Sequence, residues 1–202
     1  MIEEFKVKAN VGCGAERMPP LSWAAAYGHY DLCQFLLDNK CRVLSKDKYK
    51  RTPLIMAIRN GHTRIASLLL QRGSEWNHTD SSMNTPLHYA AAYGWIDCMD
   101  LLLKVGADLN AGNSWKVTPI NIAMLKNHLG CVKKLLDEPN VDVNCKDDKG
   151  RTLLLLSLIS IDEESAPFIK YLLQKGADPN IADLKGHAAL HYIAKFDPKA
   201  RA

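Results

Sequence analysis

Apolar and polar residues alternate along this chain in short paired segments with the spacing of amphipathic helices. The second segment of each pair, such as Ile65 to Leu70, repeats its apolar residues at helical intervals. A glycine such as Gly73 or Gly106 follows, and glycine suits the left-handed conformation that ends many helices. The pattern predicts a series of helix pairs, each closed by a turn.

The first segment of each pair carries a start signal, clearest in the stretch from Asn84 to Gly94. Thr85 suits a helix N-cap, because its hydroxyl can accept a hydrogen bond from an unpaired N–H group. Pro86 follows at the first helical position, where its missing N–H costs nothing. The alanines after it allow another helix to approach closely, and Gly94 has the backbone freedom to end the helix.

This start signal recurs along the chain with a period of 33 residues. It lies at Pro20, Pro53, Pro86 and Pro119, and it continues at slightly longer steps at Leu153 and Ala189. A period of 33 with a Thr-Pro-Leu-His start is the mark of ankyrin repeats, and the chain resembles that family over nearly its whole length. The resemblance implies an all-α solenoid of stacked helix-turn-helix units with β-turn or hairpin fingers.

The repeats divide a single ankyrin-repeat domain, 1–202, into successive units. We expect 1–14 to be the tail of a preceding partial repeat or an amino-terminal cap, and 181–202 to be a partial repeat or a carboxyl-terminal cap. Full repeats are expected at about 15–45, 46–78, 79–111, 112–145 and 146–180. Repeat five departs most from the pattern, because Leu153 replaces its proline and residues 160–165 lengthen its turn. We therefore expect unfolding to begin at the carboxyl end.

Composition and charge narrow the class of protein only a little. The chain is 47% hydrophobic and 24% charged, with a net charge of +4 and no basic run typical of a nucleic-acid-binding arm. Its six cysteines form no Cys-x-x-Cys pair, which favours reduced, buried thiols in an intracellular protein of the cytoplasm or nucleus. No apolar run reaches membrane-spanning length, and the first residues do not resemble a signal peptide.

The histidines are the only residues that suggest a metal site. His88 and His191 occupy the last position of the Thr-Pro-Leu-His motif, where an imidazole can bridge neighbouring repeats. His29, His62 and His128 follow the turn residue before each second helix. This periodic placement favours a structural role, and no histidine clusters with cysteines at ligand spacing. Phosphate-loop and nucleophile motifs are also lacking, so we expect no enzyme, no cofactor and no metal.

Candidate binding residues come from positions that the repeat framework leaves free. The resemblance implies that finger tips and residues before each inter-helix turn face one concave side. On that side we select large aromatic and basic residues: Tyr27, Tyr49, Arg51, Arg59, Tyr93, Trp115, Lys126 and Arg151. Aromatic residues and arginine anchor many interfaces, and a positive groove favours an acidic partner. The alternative is that Tyr27 and Tyr93 only pack on adjacent first helices. Trp115 is the strongest single candidate.

Three hypotheses for function remain open. The first is a non-catalytic, monomeric module that captures an extended or loop segment of a partner protein. The second is an accessory region of a larger enzyme or channel, for example a kinase, a ubiquitin-ligase adaptor or an ADP-ribosyltransferase, because the chain starts and stops in mid-repeat. Nucleic-acid binding is disfavoured, since the positive charge is dispersed.

The resemblance also suggests a modification of asparagine. Asn77, Asn110, Asn144 and Asn180 end the Gly-Ala-Asp-x-Asn type of turn, a position that is hydroxylated in some family members. A turn-forming asparagine that bonds its own backbone is a sufficient explanation of the same pattern.

Overall fold

The computed structural model describes residue 12, residues 14–159 and residues 165–196, and it confirms the predicted all-α fold. The helices of this part of the chain run in pairs: α1 (Pro20–Ala26) and α2 (Tyr30–Asp38), α3 (Pro53–Arg59) and α4 (Thr63–Gln71), α5 (Pro86–Tyr93) and α6 (Ile96–Lys104), α7 (Pro119–Leu125) and α8 (Leu129–Leu136), α9 (Leu153–Ile159) and α10 (Ser165–Gln174), and finally α11 (Ala189–Phe196).

The start and stop signals of the sequence act as expected. Proline is the first residue of α1, α3, α5 and α7. At α5 the hydroxyl of Thr85 and the side chain of His88 form a reciprocal capping box, which satisfies two N–H groups at the helix start. The turn after α7 contains Asn127 at φ 58°, where Gly94 has φ 75° after α5. The prediction that asparagine replaces glycine in a left-handed conformation is confirmed.

The chain packs as two compact units, Met1–Asp108 and Leu109–Ala202. In the first, α1, α3 and α5 pack on one another in order, α2, α4 and α6 do the same, and each first helix packs on its own second helix. The largest fully buried side chains of this unit are Leu21, Leu54, Ile55, Ile58, Leu69, Leu87, Met99 and Leu102. Each helix pair therefore shares its core with the next pair.

In the second unit α9 packs between α7 and α11. Residues 153–158 of α9 are all buried, so Leu153 replaces the usual proline without leaving the core. Ser157, which stands where other repeats have alanine, donates a hydrogen bond to the carbonyl of Leu154 at 2.7 Å. The hydroxyl is thereby satisfied inside the helix.

A finger precedes each of five first helices, and one side chain holds its shape. The Oδ1 atom of this residue accepts N–H bonds from the residues two and four positions later, at 2.8–3.1 Å; the residues are Asp47, Asp80, Asn113, Asp147 and Asp183. The residue three positions later has a positive φ in every case: Lys50, Met83, Lys116, Gly150 and Gly186. These Asx turns fix which side chains stand at each tip.

Three of the turn asparagines, Asn77, Asn110 and Asn144, form a hydrogen bond to the next repeat, which the pattern within one repeat did not predict. The Oδ1 atom of Asn110 accepts a bond from the N–H of Asp142 at 2.8 Å, and that of Asn144 from the N–H of Asp178 at 2.9 Å. Asn77 accepts in the same way from Asp108 at 3.3 Å. An amide oxygen reaches the next repeat because the repeats stack in register.

Candidate protein-binding surfaces

Fingers and first helices meet on one surface of the first unit. The hydroxyl of Tyr89, on α5, donates to Oδ2 of Asp80 in the preceding finger at 2.7 Å. Burial and this bond raise the pKa of Tyr89, while the positive charges of Arg51 and Arg59 oppose the rise. Tyr89 therefore lies near Arg51, in a finger, and near Arg59, at the end of α3. We call the surface formed by Tyr49, Tyr89, Tyr93, Arg51 and Arg59 the finger surface of the first unit.

Tyr49 lies at a finger tip of this surface with 41% of its area exposed. The Lys48 ammonium and the Arg51 guanidinium each lie 4.8 Å from its ring centroid, which is cation–π distance. Its carbonyl accepts a hydrogen bond from the N–H of Ser81 in the next finger at 2.8 Å. The exposed ring is therefore held at both its side chain and its backbone.

The sequence predicts an exposed cation at Arg51, but the structure buries its side chain. Only 7% of its area is exposed, and its Nε and Nη2 atoms donate to Asp47 and Glu16, each at 2.6 Å. Burial alone would lower the pKa of this guanidinium, but the bonds to the two carboxylates outweigh burial and raise it. Arg51 joins its own finger to the turn that contains Glu16 and supports Tyr49, because both of its carboxylate contacts lie within the chain.

Tyr93 and Arg59 contact each other across consecutive first helices. Arg59 Nε donates to the hydroxyl of Tyr93 at 3.3 Å, and Tyr93 remains 44% exposed. Tyr27 is exposed as well, and its ring packs on Trp23 of the same repeat with a centroid distance of 4.6 Å. Tyr93 therefore does contact a neighbouring first helix, as the alternative interpretation held, and it still presents its ring to solvent.

Three exposed tryptophans, Trp23, Trp76 and Trp95, were not selected from the sequence. Trp23 lies on α1, and Trp95 follows the turn at the position that histidine holds in other repeats. Trp95 Nε1 donates to the carbonyl of Arg59 at 3.2 Å, while the equivalent His62 ring bonds the carbonyl of Ala26 at 3.1 Å. The shared position after the turn was the available signal for Trp95.

The remaining selected residues belong to the second unit. Trp115, at a finger tip, is 52% exposed; its N–H donates to Asn113 and its carbonyl accepts from the N–H of Asp148 at 2.9 Å. Lys126 is exposed directly after α7. Arg151 Nε donates to Asp147 at 2.8 Å, but its side chain keeps more exposure than that of Arg51. Five of the eight selected residues therefore belong to the first unit, and Trp115, Lys126 and Arg151 belong to the second.

Among the described residues, His88 and several cysteines lie in the protein core. His88 is buried in the capping box, and no group of three or more histidine, cysteine or acidic residues there could hold a metal ion. Burial raises the pKa of the Cys33 thiol to about 11, and it also raises the pKa of Cys98 and Cys131. These thiols stay protonated at neutral pH, which makes them poor nucleophiles. Cys13 lies outside the described residues.

None of the helices in residues 14–159 and 165–196 has both the length and the apolar character needed to cross a bilayer.

Comparison with known proteins agrees with this architecture. A family model described as ankyrin repeats (3 copies) matches residues 2–80, 73–147 and 122–200. Two curated proteins are similar over shorter stretches: a probable serine/threonine-protein kinase of Dictyostelium discoideum, 40% identical over 57 residues, and putative ankyrin repeat protein L92 of Acanthamoeba polyphaga mimivirus, 44% identical over 55 residues. These stretches cover 28% and 27% of this chain, and 7% and 13% of the two proteins. Since the family model matches nearly every residue, the chain belongs to the ankyrin-repeat family.

Proposed function

We propose that this chain is a non-catalytic module that captures an extended or loop segment of a partner protein on its finger surfaces, namely the finger surface of the first unit and the finger of the second unit that carries Trp115. Ankyrin repeats indicate a protein-interaction module, and the segment and surface are the finer part of the proposal. The observation that carries it is the exposure of Tyr49, Tyr93 and Trp115 on a framework that fixes their positions. Aromatic rings of this kind are common interface hot spots.

The cost of ordering these side chains on binding is small. Tyr49 is held by two cations and by a backbone bond to Ser81, and Tyr93 is held by Arg59. A partner that stacks on such a ring gains contact without first immobilising it. Exposed basic residues such as Lys48 stand beside these rings, so an acidic segment fits better than a basic one.

A second candidate function is an accessory region of a larger enzyme. The observation that favours it is the similarity over 57 residues to a probable serine/threonine-protein kinase. In that setting the same finger surfaces would target or regulate the enzyme. Sequencing the full source transcript tests this candidate, since a kinase or other catalytic domain in the same reading frame would support it.

The leading proposal is tested by affinity measurements on the chain with partner peptides selected from a peptide array. We expect the variants Tyr49→Ala with Tyr93→Ala, and Trp115→Ala, each to weaken binding of at least one selected peptide by about tenfold or more. Trp76→Ala is the matched control, since Trp76 is an exposed aromatic next to Glu75 and His78 rather than on the finger surface. Equal affinity of the finger-surface variants and the control would defeat the site assignment.

A further inference from the structure

The second unit contains a cavity that the sequence analysis did not foresee. It has a volume of about 750 Å³ and lies where the end of α9, the last finger and α11 come together. Ile159, Leu184 and Tyr192 contribute its apolar wall, and Leu184 is 79% exposed. A volume of this size accommodates a small ligand or several side chains of a peptide.

Basic side chains surround this apolar wall. Lys149, Lys185 and Lys195 line the cavity and are exposed, and Arg151 lies beside them. Lys149 lies next to the last finger, since the carbonyl of Lys149 accepts a hydrogen bond from the N–H of Leu184 at 3.0 Å. Three exposed lysines around one opening create a positive potential that attracts anionic groups, whereas Arg151 is already paired with Asp147.

Among the described residues that line the cavity, Asp183 is the one with a carboxylate, and both of its oxygens are already hydrogen-bonded. Asp183 Oδ1 accepts the N–H groups of Lys185 and His187 at 2.8 and 2.9 Å, and Oδ2 accepts the hydroxyl of Tyr192 at 2.8 Å. Partial burial would raise the pKa of Asp183, but these bonds outweigh burial and lower it. Asp183 therefore stays ionised and shapes the finger, and the three lysines outnumber it along the described part of the wall.

The cavity also offers a neutral donor. His191 Nδ1 accepts a hydrogen bond from the N–H of Ala188 at 3.2 Å, so the neutral ring carries its proton on Nε2. Burial, then the bond to Asp183, raises the pKa of Tyr192 to about 12, so its hydroxyl keeps its proton and its bond to the finger. The wall thus combines cations, the imidazole rings of His187 and His191, and aliphatic surface.

We propose that this cavity binds an acidic peptide segment that carries one aliphatic or aromatic anchor residue. The anchor packs against Ile159 and Leu184, and the flanking carboxylates pair with Lys149 and Lys185. This inference rests on the proposed function and assigns one ligand chemistry to one place in the second unit. A nucleic acid is disfavoured, because single strands bind on several stacked aromatic rings and Tyr192 is the one tyrosine or tryptophan among the described residues that line the cavity.

The test uses the full chain and three fluorescein-labelled decapeptides, measured by fluorescence anisotropy. The first peptide has alternating Glu and Asp around a central Leu-Phe pair, the second replaces Leu-Phe with Ser-Ser, and the third replaces every acidic residue with Lys. We expect the first peptide to bind about tenfold more tightly than the second and to be weakened by added salt. The third should show no saturable binding.

Variants locate the binding. Lys149→Ala with Lys185→Ala is expected to weaken the first peptide by roughly fivefold to tenfold, and Leu184→Ser by about tenfold. Lys170→Ala, an exposed lysine on α10, is the matched control and should change affinity less than about twofold. All four changed side chains are exposed, and circular dichroism verifies that each variant folds.

Three outcomes would overturn the inference: equal binding of the first and second peptides, unchanged affinity in both cavity variants, or a single-stranded oligonucleotide that displaces the peptide at lower concentration than unlabelled peptide does. The proposed function fails separately. If the cavity variants have no effect while Tyr49→Ala with Tyr93→Ala, or Trp115→Ala, still weakens an array-selected peptide, the protein-binding module stands and only the cavity assignment is wrong.

Discussion

Helix α5 of the third repeat and helix α11 of the sixth carry the same three residues, Leu-His-Tyr, at the same positions. Their local hydrogen bonds are nearly identical. The imidazole Nδ1 accepts a backbone N–H at 3.1 Å in α5 and at 3.2 Å in α11, and the tyrosine hydroxyl donates to the finger aspartate at 2.7 and 2.8 Å. Burial differs completely: Leu87 is 0% exposed and Leu190 is 77% exposed.

This difference separates what a repeat encodes by itself from what its neighbours supply. The motif sets the capping bond and the finger contact, because both depend on residues within one repeat. Burial of the leucine depends on packing by other helices, and α5 packs on α3 and on its own second helix α6. Local geometry and packing energy are therefore independent properties of the same short sequence.

Hydrogen exchange should show the largest consequence of this comparison. We expect the amides of α5 to exchange with an opening free energy at least about 2 kcal/mol above that of α11, because opening α5 exposes apolar core. Native-state exchange read out by NMR or mass spectrometry measures both helices in one sample. Equal protection of Ala189–Phe196 and Pro86–Tyr93 would contradict both this expectation and the predicted early unfolding of the carboxyl end.

Truncation of Leu87 and of Leu190 tests the difference in burial directly by mutation. Leu87→Ala is expected to destabilise the chain by about 3–5 kcal/mol, since it removes a fully buried side chain and leaves a cavity. Leu190→Ala should change the free energy of unfolding by less than about 0.5 kcal/mol. Urea unfolding followed by circular dichroism gives both values. A cost above about 2 kcal/mol for Leu190→Ala would show that this side chain is packed in solution.

Removal of the tyrosine hydroxyls tests the hydrogen bond to the finger aspartate, which α5 and α11 have in common. Tyr89→Phe should cost about 1–2 kcal/mol, because Asp80 loses a charge-assisted hydrogen bond at a partly buried site. Tyr192→Phe should cost less than Tyr89→Phe, since water replaces the lost donor more easily at the more exposed site. Urea midpoints of the two variants and the parent chain give the comparison. A larger cost for Tyr192→Phe would reverse our ranking of the two sites.

Acid should produce the smallest effect. Partial burial would raise the pKa of Asp80, but bonds from Tyr89, Asn84 and the backbone outweigh it, so the pKa is lowered in the folded chain. A lowered pKa stabilises the fold above the unfolded value of about 3.9, and this contribution is lost as pH falls through the folded value. We expect the urea midpoint to fall on acidification from pH 6 to pH 3. Asp80→Asn should reduce that fall slightly, and an identical fall in this variant would argue against a role for Asp80.

The sequence alone predicted features that one repeat determines, and it failed where two repeats meet. The left-handed Asn127 follows from its alignment with Gly94, and the structure confirms it. The burial of Arg51 could not be foreseen, because one of its two partners, Glu16, lies 35 residues earlier, in the turn before α1. The cavity beside α11 was missed for the same reason: its walls come from residues far apart in the chain.

Residue type alone predicts the left-handed conformation of the finger residues only weakly. Glycine occupies this position in Gly150 and Gly186, whereas Lys50, Met83 and Lys116 occupy it in the other fingers. Lysine and methionine carry no preference for positive φ, so their conformation follows from the Asx turn around them rather than from residue type. Trp115 was selectable from the sequence because finger tips need no large apolar side chain, although its role in binding stays a prediction.

The rings of His62 and Trp95 lie so close to the preceding turns that a Cβ atom added to Gly28 or Gly61 would come within 2.8 and 2.9 Å of them. A larger residue at either glycine would therefore force the ring that covers it to move. When genetic recombination joins repeats of different origin, the junction inherits the turn from one parent and the ring from the other. We therefore expect viable chimaeras of this array to carry crossovers that keep each turn together with the ring that covers it.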